Sequence, residues 1–451
     1  MKKSFKGICI ALALLSTVSM AACGSNDTAG SSTSADSTAT ASSKAPAENI
    51  KLSWYRQYST DNDKVIADYA ITELKKEIPN IEFDIIPNPQ DTDQKIKTMA
   101  ATGELPDIMT LNPTLVGMFS KSNNILTLDK YVDEMGVRDQ LQDGAKSLLD
   151  QGDGHTYAIP EANSSFILMY YNKELFSQNG IKVPTNYAEF LAAVKAFKAK
   201  NITPVSFFSK EQWVGFSFMD ALVTRTEPEG LKKVDSGKGD ITEPAYLEAA
   251  KKFYELSKAG IAAKSAFTTA YDEAYSLFIT GKAAMLLNGS WACADIGKSI
   301  GDNLGDKVGI LPLTALADAK DVESSKGNAV GGGASDGVTA AANTKDKDIA
   351  EKVAVILGLK STESKIVKGI ESNTFFKADI KSEIPFNALQ QEFADTVVPN
   401  VKNYTCFFWG MSNPKIATPL GENIIKLMVG SADYTPEKFI EETDKAIKAS
   451  R

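Results

Sequence analysis

Histidine and cysteine are among the scarcest residues of this chain, which has one histidine, His155, and four cysteines in 451 residues. There is no His-Glu-x-x-His pair, and no two cysteines are spaced as Cys-x-x-Cys. The common zinc sites and thiol redox sites need such clusters, so neither is expected. The sequence implies no metal and no cofactor.

The scarcity of histidine also bears on catalysis. Gly333-Ala334-Ser335-Asp336-Gly337 matches the Gly-x-Ser-x-Gly nucleophile elbow, which needs a following helix and a later histidine. His155 lies upstream and residues 338–342 are predicted to form a strand, so an enzyme of this kind is not expected. No Gly-x-x-x-x-Gly-Lys-Ser/Thr loop is present, so the chain itself is not expected to bind ATP. Paired carboxylates for glycoside hydrolysis stay an open alternative, because their separation is set in three dimensions.

Long apolar runs are absent after residue 22, since no later stretch reaches the roughly 18 apolar residues of a membrane span. Residues 1–22 join a basic start to a short apolar core ending in Ala21-Ala22, which is typical of a secretory signal peptide. Small residues directly before Cys23 resemble the lipobox of bacterial lipoproteins, in which that cysteine carries the acyl chains, palmitate among them. An ordinary signal peptide, with Cys23 left as a free thiol, is the alternative.

Residues 23–48 are predicted to be a flexible tether, because they are mostly Ser, Thr, Ala, Gly and Asp with no large apolar side chain. A chain of that length spans roughly 25–30 Å root-mean-square. We therefore expect an extracytoplasmic folded part, anchored by lipid to the outer face of the bacterial cell membrane. Cys293 and Cys406 remain, and either a disulfide or two buried thiols is compatible with this location.

Acidic residues are in excess. The formal charge is −8, and it becomes −11 without the signal peptide, because that segment carries three lysines and no acid. An acidic surface argues against nucleic acid or anionic lipid as the ligand. The remaining roughly 400 residues exceed what one hydrophobic core usually serves, so two lobes are expected.

One apolar run, Ala283 to Leu287, organises the chain. It is too short for an independent helix and is bounded by turn residues, which predicts a strand buried on both faces. In a mostly parallel sheet the carboxyl ends of strands face the ligand crevice, so Asn288 and Trp291 are expected there. An aromatic ring beside an amide suits a sugar. The alternative is that Trp291 belongs to the core.

Two other strand ends supply polar candidates. The alternating segment Ile50–Trp54 is followed by a polar turn containing Tyr58 and Asp61, and a later strand ends at Asn112. Each side chain is a candidate for ligand contact. Asp61 and Asp63 are equally well explained as helix N-caps.

Two loops add further candidates. Trp213 follows a strand-like segment and is a second candidate for stacking, with a loop anchor as the alternative. Consecutive glycines up to Gly333 let backbone amides approach a ligand, and Ser335 and Asp336 then offer groups that bond hydroxyls. Hinge flexibility is the other explanation for those glycines.

Four segments together resemble the extracellular solute-binding proteins of bacterial ABC importers, in the maltose-binding-protein-like sugar family. They are Gly103-Glu104-Leu105-Pro106-Asp107-Ile108, Tyr157-Ala158-Ile159-Pro160, Tyr171-Asn172-Lys173-Glu174-Leu175-Phe176, and Phe278 with Gly281-Lys282-Ala283-Ala284-Met285 up to Gly289-Ser290-Trp291. Their order and spacing match the family from about residue 50 onward. In that family an aromatic residue just before the C-terminal helices often lines the cleft, and Trp409 matches that position.

The resemblance implies a two-lobed α/β fold of the type II periplasmic-binding-protein class. Each lobe is then a mostly parallel sheet flanked by helices, and the ligand cleft lies between the lobes. The implied boundaries are 49–163 plus about 309–343 for the N-terminal lobe, and 164–308 plus about 344–451 for the C-terminal lobe.

The resulting hypothesis is a substrate-binding lipoprotein that captures a carbohydrate, expected to be an oligosaccharide, and delivers it to the permease of an ABC importer. We expect a monomer that is not an enzyme and does not bind nucleic acid. The same fold binding a polyol, glycerol phosphate or a peptide is the first alternative. A surface lipoprotein enzyme or an adhesin is the second.

Overall fold

The structure is a computed structural model that describes residues 49–450, with gaps at 90–92, 142–148, 150–152, 162–164, 333–335, 375 and 412. The predicted signal peptide and tether, with Cys23, lie outside the described residues. The candidates Gly333 and Ser335 do so as well.

The described residues form two mixed sheets and a short two-stranded pairing. The strands are β1 Ile50–Arg56, β2 Ile81–Pro87, β3 Ile108–Leu111, β4 Ile159–Pro160, β5 Ile167–Asn172, β6 Thr203–Ser206, β7 Ala283–Gly289, β8 Val308–Leu311, β9 Asn328–Ala329, β10 Gly337–Ala340 and β11 Asn403–Tyr404. We call the five-stranded sheet, in the order β2-β1-β3-β10-β4, sheet A. The four-stranded sheet, in the order β6-β7-β5-β8, is sheet B.

Helices cover both sheets. They are α1 Asp61–Glu77, α2 Gln94–Thr102, α3 Pro113–Lys121, α4 Asp129–Glu134, α5 Val137–Gln140, α6 Lys173–Gln178, α7 Tyr187–Ala199, α8 Gln212–Val223, α9 Gly230–Asp235, α10 Pro244–Ala259, α11 Tyr271–Ile279, α12 Ala292–Ile300, α13 Leu304–Lys307, α14 Lys347–Val367, α15 Ala388–Glu392, α16 Pro414–Val429 and α17 Pro436–Ser450. Short 3-10 segments include Leu313–Leu316 and Phe408–Gly410.

Sheet A is buried on both faces. On one face α1 and α14 share a core with the sheet, in which Leu74, Ile108 and Leu357 are fully buried. On the other face α2 and α3 pack through Ile96 and Phe119. Since each face meets helices, the strands of sheet A can be apolar on both sides.

Sheet B is organised around β7, which is buried along its whole length, as predicted for Ala283 to Leu287. It pairs in parallel with β6 and antiparallel with β5. Side chains such as Phe197 on α7, Phe253 on α10 and Leu420 on α16 complete one continuous core with it. A strand with no exposed edge or face needs no alternation of polar residues, which is why its sequence reads as one apolar run.

The expected α/β fold with two sheets is confirmed, but the strand directions are mixed. In sheet A, β10 runs antiparallel to β3 and β4, and in sheet B, β5 runs antiparallel to β7 and β8. These strands lie where the chain passes between the sheets, so they enter from the opposite end. The prediction of mostly parallel sheets therefore holds only for part of each sheet.

The predicted lobe boundaries differ from the pairing at two places. Val308–Leu311 pairs with β5 in sheet B, although the boundary near 309 put it in the N-terminal lobe. Lys347–Val367 packs on sheet A, although the boundary near 344 put it in the C-terminal lobe. The chain still contacts sheet A at Phe376, which bridges to Leu141, and it reaches the sheet B core only at Leu389.

Helix ends follow local chemistry. Thr60 is the N-cap of α1, and Asp63 completes the capping box with it, so the expectation that Asp61 or Asp63 is the N-cap is wrong. Gly103 follows α2 in the left-handed conformation at φ 73°, as its sequence position predicts.

A buried acid and a buried base hold the end of α8. Asp220 is fully buried and accepts from the backbone N–H of Leu231 at 2.7 Å. Arg225 is 2% exposed and donates to the carbonyls of Ser325 at 3.2 Å and Asn328 at 2.7 Å. Burial raises the pKa of Asp220 to about 7, and the Arg225 charge opposes that rise. The arginine thus ties the segment before β9 to the helix.

Both described cysteines are free thiols, so the disulfide alternative for Cys293 and Cys406 is not what the structure holds. The Cys293 Sγ lies 3.2 Å from the Tyr170 hydroxyl, and burial raises its pKa to about 12. In the described part of the chain, no helix is both long enough and apolar enough to cross a membrane.

Candidate functional site

The end of β7 places Trp291 over the backbone of the strand. β7 finishes at Gly289, and Trp291 then starts α12 as its N-cap. A Cβ on Gly289 would lie 2.2 Å from the Trp291 ring, so only glycine permits this packing. The turn therefore holds the half-buried indole at the carboxyl end of β7.

Three tryptophans from distant parts of the chain meet at this edge. The ring centroids of Trp213 and Trp291 are 5.9 Å apart, those of Trp213 and Trp409 are 5.6 Å apart, and those of Trp291 and Trp409 are 6.2 Å apart. Phe407 stacks on Trp409 at 4.6 Å with an angle of 10° between the rings. We call these four residues the aromatic cluster. Such spacings are those of favourable aromatic pairs.

The orientation of the cluster is fixed by close contacts around it. Trp213 Nε1 donates to Glu211 at 2.8 Å. Gly331 adopts φ 88°, and a Cβ there would lie 2.5 Å from the Phe407 ring, so this glycine lets the ring approach the chain. All three tryptophans are partly exposed, so each ring keeps apolar surface that a ligand can cover.

Two tyrosines extend this surface and were not among the predicted residues. Phe208 links them to the cluster, at 5.1 Å from Trp213 and 5.2 Å from Tyr271. Tyr271 and Tyr275 stack at 5.9 Å with an angle of 9°. Their i, i+4 spacing on α11 puts both on one helix face, and that spacing is the signal that sequence reasoning missed.

The edge of sheet A approaches the cluster through α3. Thr114, in the first turn of α3, contacts the carbonyl oxygens of Trp409 at 3.0 Å and Met411 at 2.7 Å. Asn112 caps the same helix by accepting from the Leu115 N–H at 2.9 Å. Its amide also donates to Asp93 at 3.0 Å. The predicted residue Asn112 therefore lies beside the cluster, but most of its polar atoms are already used.

A second contact joins helices of the two sheets. The amide nitrogen of Asn62, on α1, donates to Asp295 at 3.0 Å, and its amide oxygen accepts from Lys298 at 3.1 Å. Both partners lie on α12, which begins just after Trp291. Helices that pack on sheet A therefore contact the sheet B part of the chain at two places, at Trp409 and on α12.

The carboxyl end of sheet A carries a charged group that sequence reasoning also missed. Arg56 ends β1 and Glu161 follows β4, and their side chains pair at 2.7 Å while buried to 3% and 8% exposure. The N–H of Glu161 donates to the carbonyl of Asp336 at 2.8 Å. Burial and the charges of Glu161 and Asp93 raise the pKa of Asp336 to about 7. Sheet B therefore carries half-buried aromatic rings at the end of β7, and sheet A carries a buried charged pair at its carboxyl end.

Residues 57–357, about two thirds of the chain, match the family described as bacterial extracellular solute-binding protein. The chain belongs to this family. The expectation drawn from the sequence motifs is thereby confirmed, and the matched residues include most of both sheets.

The curated relatives of this solute-binding protein are similar over part of their length. The sn-glycerol-3-phosphate-binding periplasmic protein UgpB of Brucella abortus is 31% identical over 182 residues, 39% of this chain and 40% of that protein. The multiple sugar-binding protein of Streptococcus mutans is 24% identical over 294 residues, 57% of this chain and 65% of that protein. The chain therefore spans about two fifths of the length of the first of these relatives.

Solved structures are similar over nearly the whole described chain. A protein from work on xylan utilization by Caldanaerobius polysaccharolyticus superposes with a TM-score of 0.75 at 25% identity, covering 88% of this chain and 99% of that one. A chitin oligosaccharide binding protein gives 0.74 at 24% identity, covering 89% and 99%. The second similarity concerns the fold alone.

Three further predicted residues of this solute-binding protein, Asp61, Tyr58 and Asn288, differ in how exposed they are. Asp61 is the first residue of α1, and its side chain is 98% exposed beside Lys64, outside the contacts described above. Tyr58 is partly buried against the sheet A core. Asn288 is fully buried, and its Oδ1 accepts from the Gly289 N–H at 2.8 Å. Asn288 therefore supports the turn that leads to Trp291.

Proposed function

We propose that this solute-binding protein captures a carbohydrate between sheet A and sheet B and delivers it to the permease of an ABC importer. The aromatic cluster is the observation that carries the proposal. Partly exposed indoles suit the apolar faces of sugar rings, and the polar groups at the carboxyl end of sheet A suit the hydroxyls. The name of the multiple sugar-binding relative supports the same ligand class.

Direct binding tests this proposal. Purified protein would be mixed with raffinose, laminaribiose, xylotriose, a chitin oligosaccharide and sn-glycerol 3-phosphate, first in a thermal-shift screen and then by calorimetry. We expect at least one neutral sugar to bind with a Kd near 1 µM, about −8 kcal/mol. A sugar at one hundred times its Kd then stabilises the fold by about 2.7 kcal/mol. If none of the sugars binds, the carbohydrate proposal is wrong.

The same samples separate binding from catalysis. We infer that the sugar is released unaltered, and chromatography of the sugar after long incubation should recover it intact. Appearance of a hydrolysis product would instead favour the glycosidase alternative. Binding of sn-glycerol 3-phosphate alone would favour the second candidate ligand, which the name of the Brucella abortus relative supports.

We further propose that Cys23 carries a lipid that anchors a monomeric protein to the outer face of the membrane. The support is the run of small residues before Cys23 and the tether that follows it. Expressed in a bacterial host, the wild-type protein should fractionate with membranes, while Cys23→Ser should be released in soluble form. Membrane retention of the Cys23→Ser variant would argue against the lipid anchor.

A further inference from the structure

The buried pair Arg56 and Glu161 is incompletely satisfied by the protein. Arg56 Nη2 donates to Glu161 Oε1 at 2.7 Å, and Nε donates to the Gln57 carbonyl at 3.0 Å. The guanidinium also lies 4.4 Å over the Trp54 ring. Yet Arg56 Nη1 and Glu161 Oε2, both shielded from solvent, find no hydrogen-bond partner among the described residues.

Buried polar atoms without a hydrogen-bond partner are rare in folded proteins, because such an atom loses its hydrogen bonds to water and gains none in return. The comparison within this chain is Arg225, equally buried at 2% exposure, whose three nitrogens all donate. The fold can therefore satisfy a buried arginine, and at Arg56 it leaves one donor and one adjacent acceptor unused. This pattern indicates that a ligand supplies the hydrogen bonds that Arg56 and Glu161 lack.

The position of the pair relative to the aromatic cluster follows from a chain of contacts. Glu161 bonds to the Asp336 backbone, and the next residue, Gly337, pairs with Leu111 at the end of β3. The residue after Leu111 starts α3, whose Thr114 contacts Trp409. The pair therefore lies at the carboxyl end of sheet A, the end from which α3 reaches the aromatic cluster.

We propose that Arg56 Nη1 and Glu161 Oε2 bind two neighbouring hydroxyls of a neutral sugar whose ring lies on the aromatic cluster. This rests on the proposed function. A hydroxyl both donates and accepts, so one can accept from the guanidinium while its neighbour donates to the carboxylate. Hydrogen bonds with one charged partner are the stronger kind, and no charge is needed on the ligand.

The surrounding charge favours a neutral ligand over a phosphate. Three charged groups act on Asp336, whose carbonyl bonds to Glu161: the acids Glu161 and Asp93 and the base Lys365. Burial is the main cause of the raised pKa of Asp336, and the charges of Glu161 and Asp93 add to the rise while Lys365 opposes it. An arginine nitrogen without a hydrogen-bond partner would by itself suit a phosphate. The carboxylate oxygen of Glu161 beside it is negatively charged, however, and repels one.

Calorimetry of Arg56→Lys and Glu161→Gln tests the proposal, using whichever of raffinose, laminaribiose, xylotriose or the chitin oligosaccharide binds the wild type. Each variant should lose about tenfold in affinity, because lysine lacks the second donor and glutamine lacks the charged acceptor. Arg225→Lys is the matched control: it should lower the melting temperature and leave affinity within about twofold. Equal affinities of wild type, Arg56→Lys and Glu161→Gln would overturn the proposal while leaving the carbohydrate function intact.

Two further measurements keep the test decisive. If a single variant does not fold, Arg56→Met/Glu161→Gln removes both charges together and should fold while still losing affinity. sn-Glycerol 3-phosphate should give no binding heat with the wild type. Tight binding of that phosphate, lost in Arg56→Lys, would replace the neutral hydroxyl pair with a phosphate as the group that Arg56 recognises.

Discussion

Replacing Trp291 by alanine is expected to weaken sugar binding by about thirtyfold or more. Its ring contacts Trp213, Trp409 and Phe407, so truncation removes the stacking surface and loosens the other rings. Central tryptophans of binding surfaces typically cost 2 kcal/mol or more on truncation, and 1.4 kcal/mol is tenfold in Kd. Calorimetry with the sugar that binds the wild type measures the loss.

The control for this variant must lower stability without touching the site. Phe253→Leu serves, because Phe253 is fully buried in the same core and contacts Phe218 rather than the aromatic cluster. It should lower the melting temperature and leave Kd unchanged. If Trp291→Ala behaves like Phe253→Leu, with stability lowered and Kd unaltered, the aromatic cluster is core and not a binding surface.

Replacing Arg225 by methionine is expected to lower the free energy of unfolding by about 3–5 kcal/mol, the usual cost of removing one partner from a buried charged network. The carbonyls of Ser325 and Asn328 lose their donors, and Asp220 loses the nearby positive charge. Urea unfolding followed by tryptophan fluorescence measures the change.

Two companion variants show where that loss comes from. Lys251→Met removes an exposed lysine that lies 3.8 Å from Glu437 in a surface ion pair, so it should cost less than about 0.5 kcal/mol. Adding Asp220→Asn to Arg225→Met should recover part of the stability, because no uncompensated carboxylate then remains buried. A loss for Arg225→Met no greater than that for Lys251→Met would contradict this account of the network.

The predicted site residues show how far local pattern reaches. Local pattern predicts Trp213 and Trp291 at a ligand cleft and the family resemblance implies Trp409 there, and the structure brings the three rings within about 6 Å of one another. Local pattern also predicts Asp61 and Asn288 at the cleft, but the Asp61 side chain is exposed and Asn288 is fully buried. A strand end indicates the edge of a sheet; it does not indicate which side chain there remains accessible.

The sequence by itself determined the local elements and the family. The apolar run of β7, the glycine after α2 and the order of the motifs depend on interactions within a few residues, and these are legible along the chain. The partner of β8, the sheet on which α14 packs and the pairing of Arg56 with Glu161 depend on contacts between residues up to about 300 positions apart. Only the tertiary structure decided these, because an apolar strand or a charged side chain is equally well satisfied by many partners until the chain is folded.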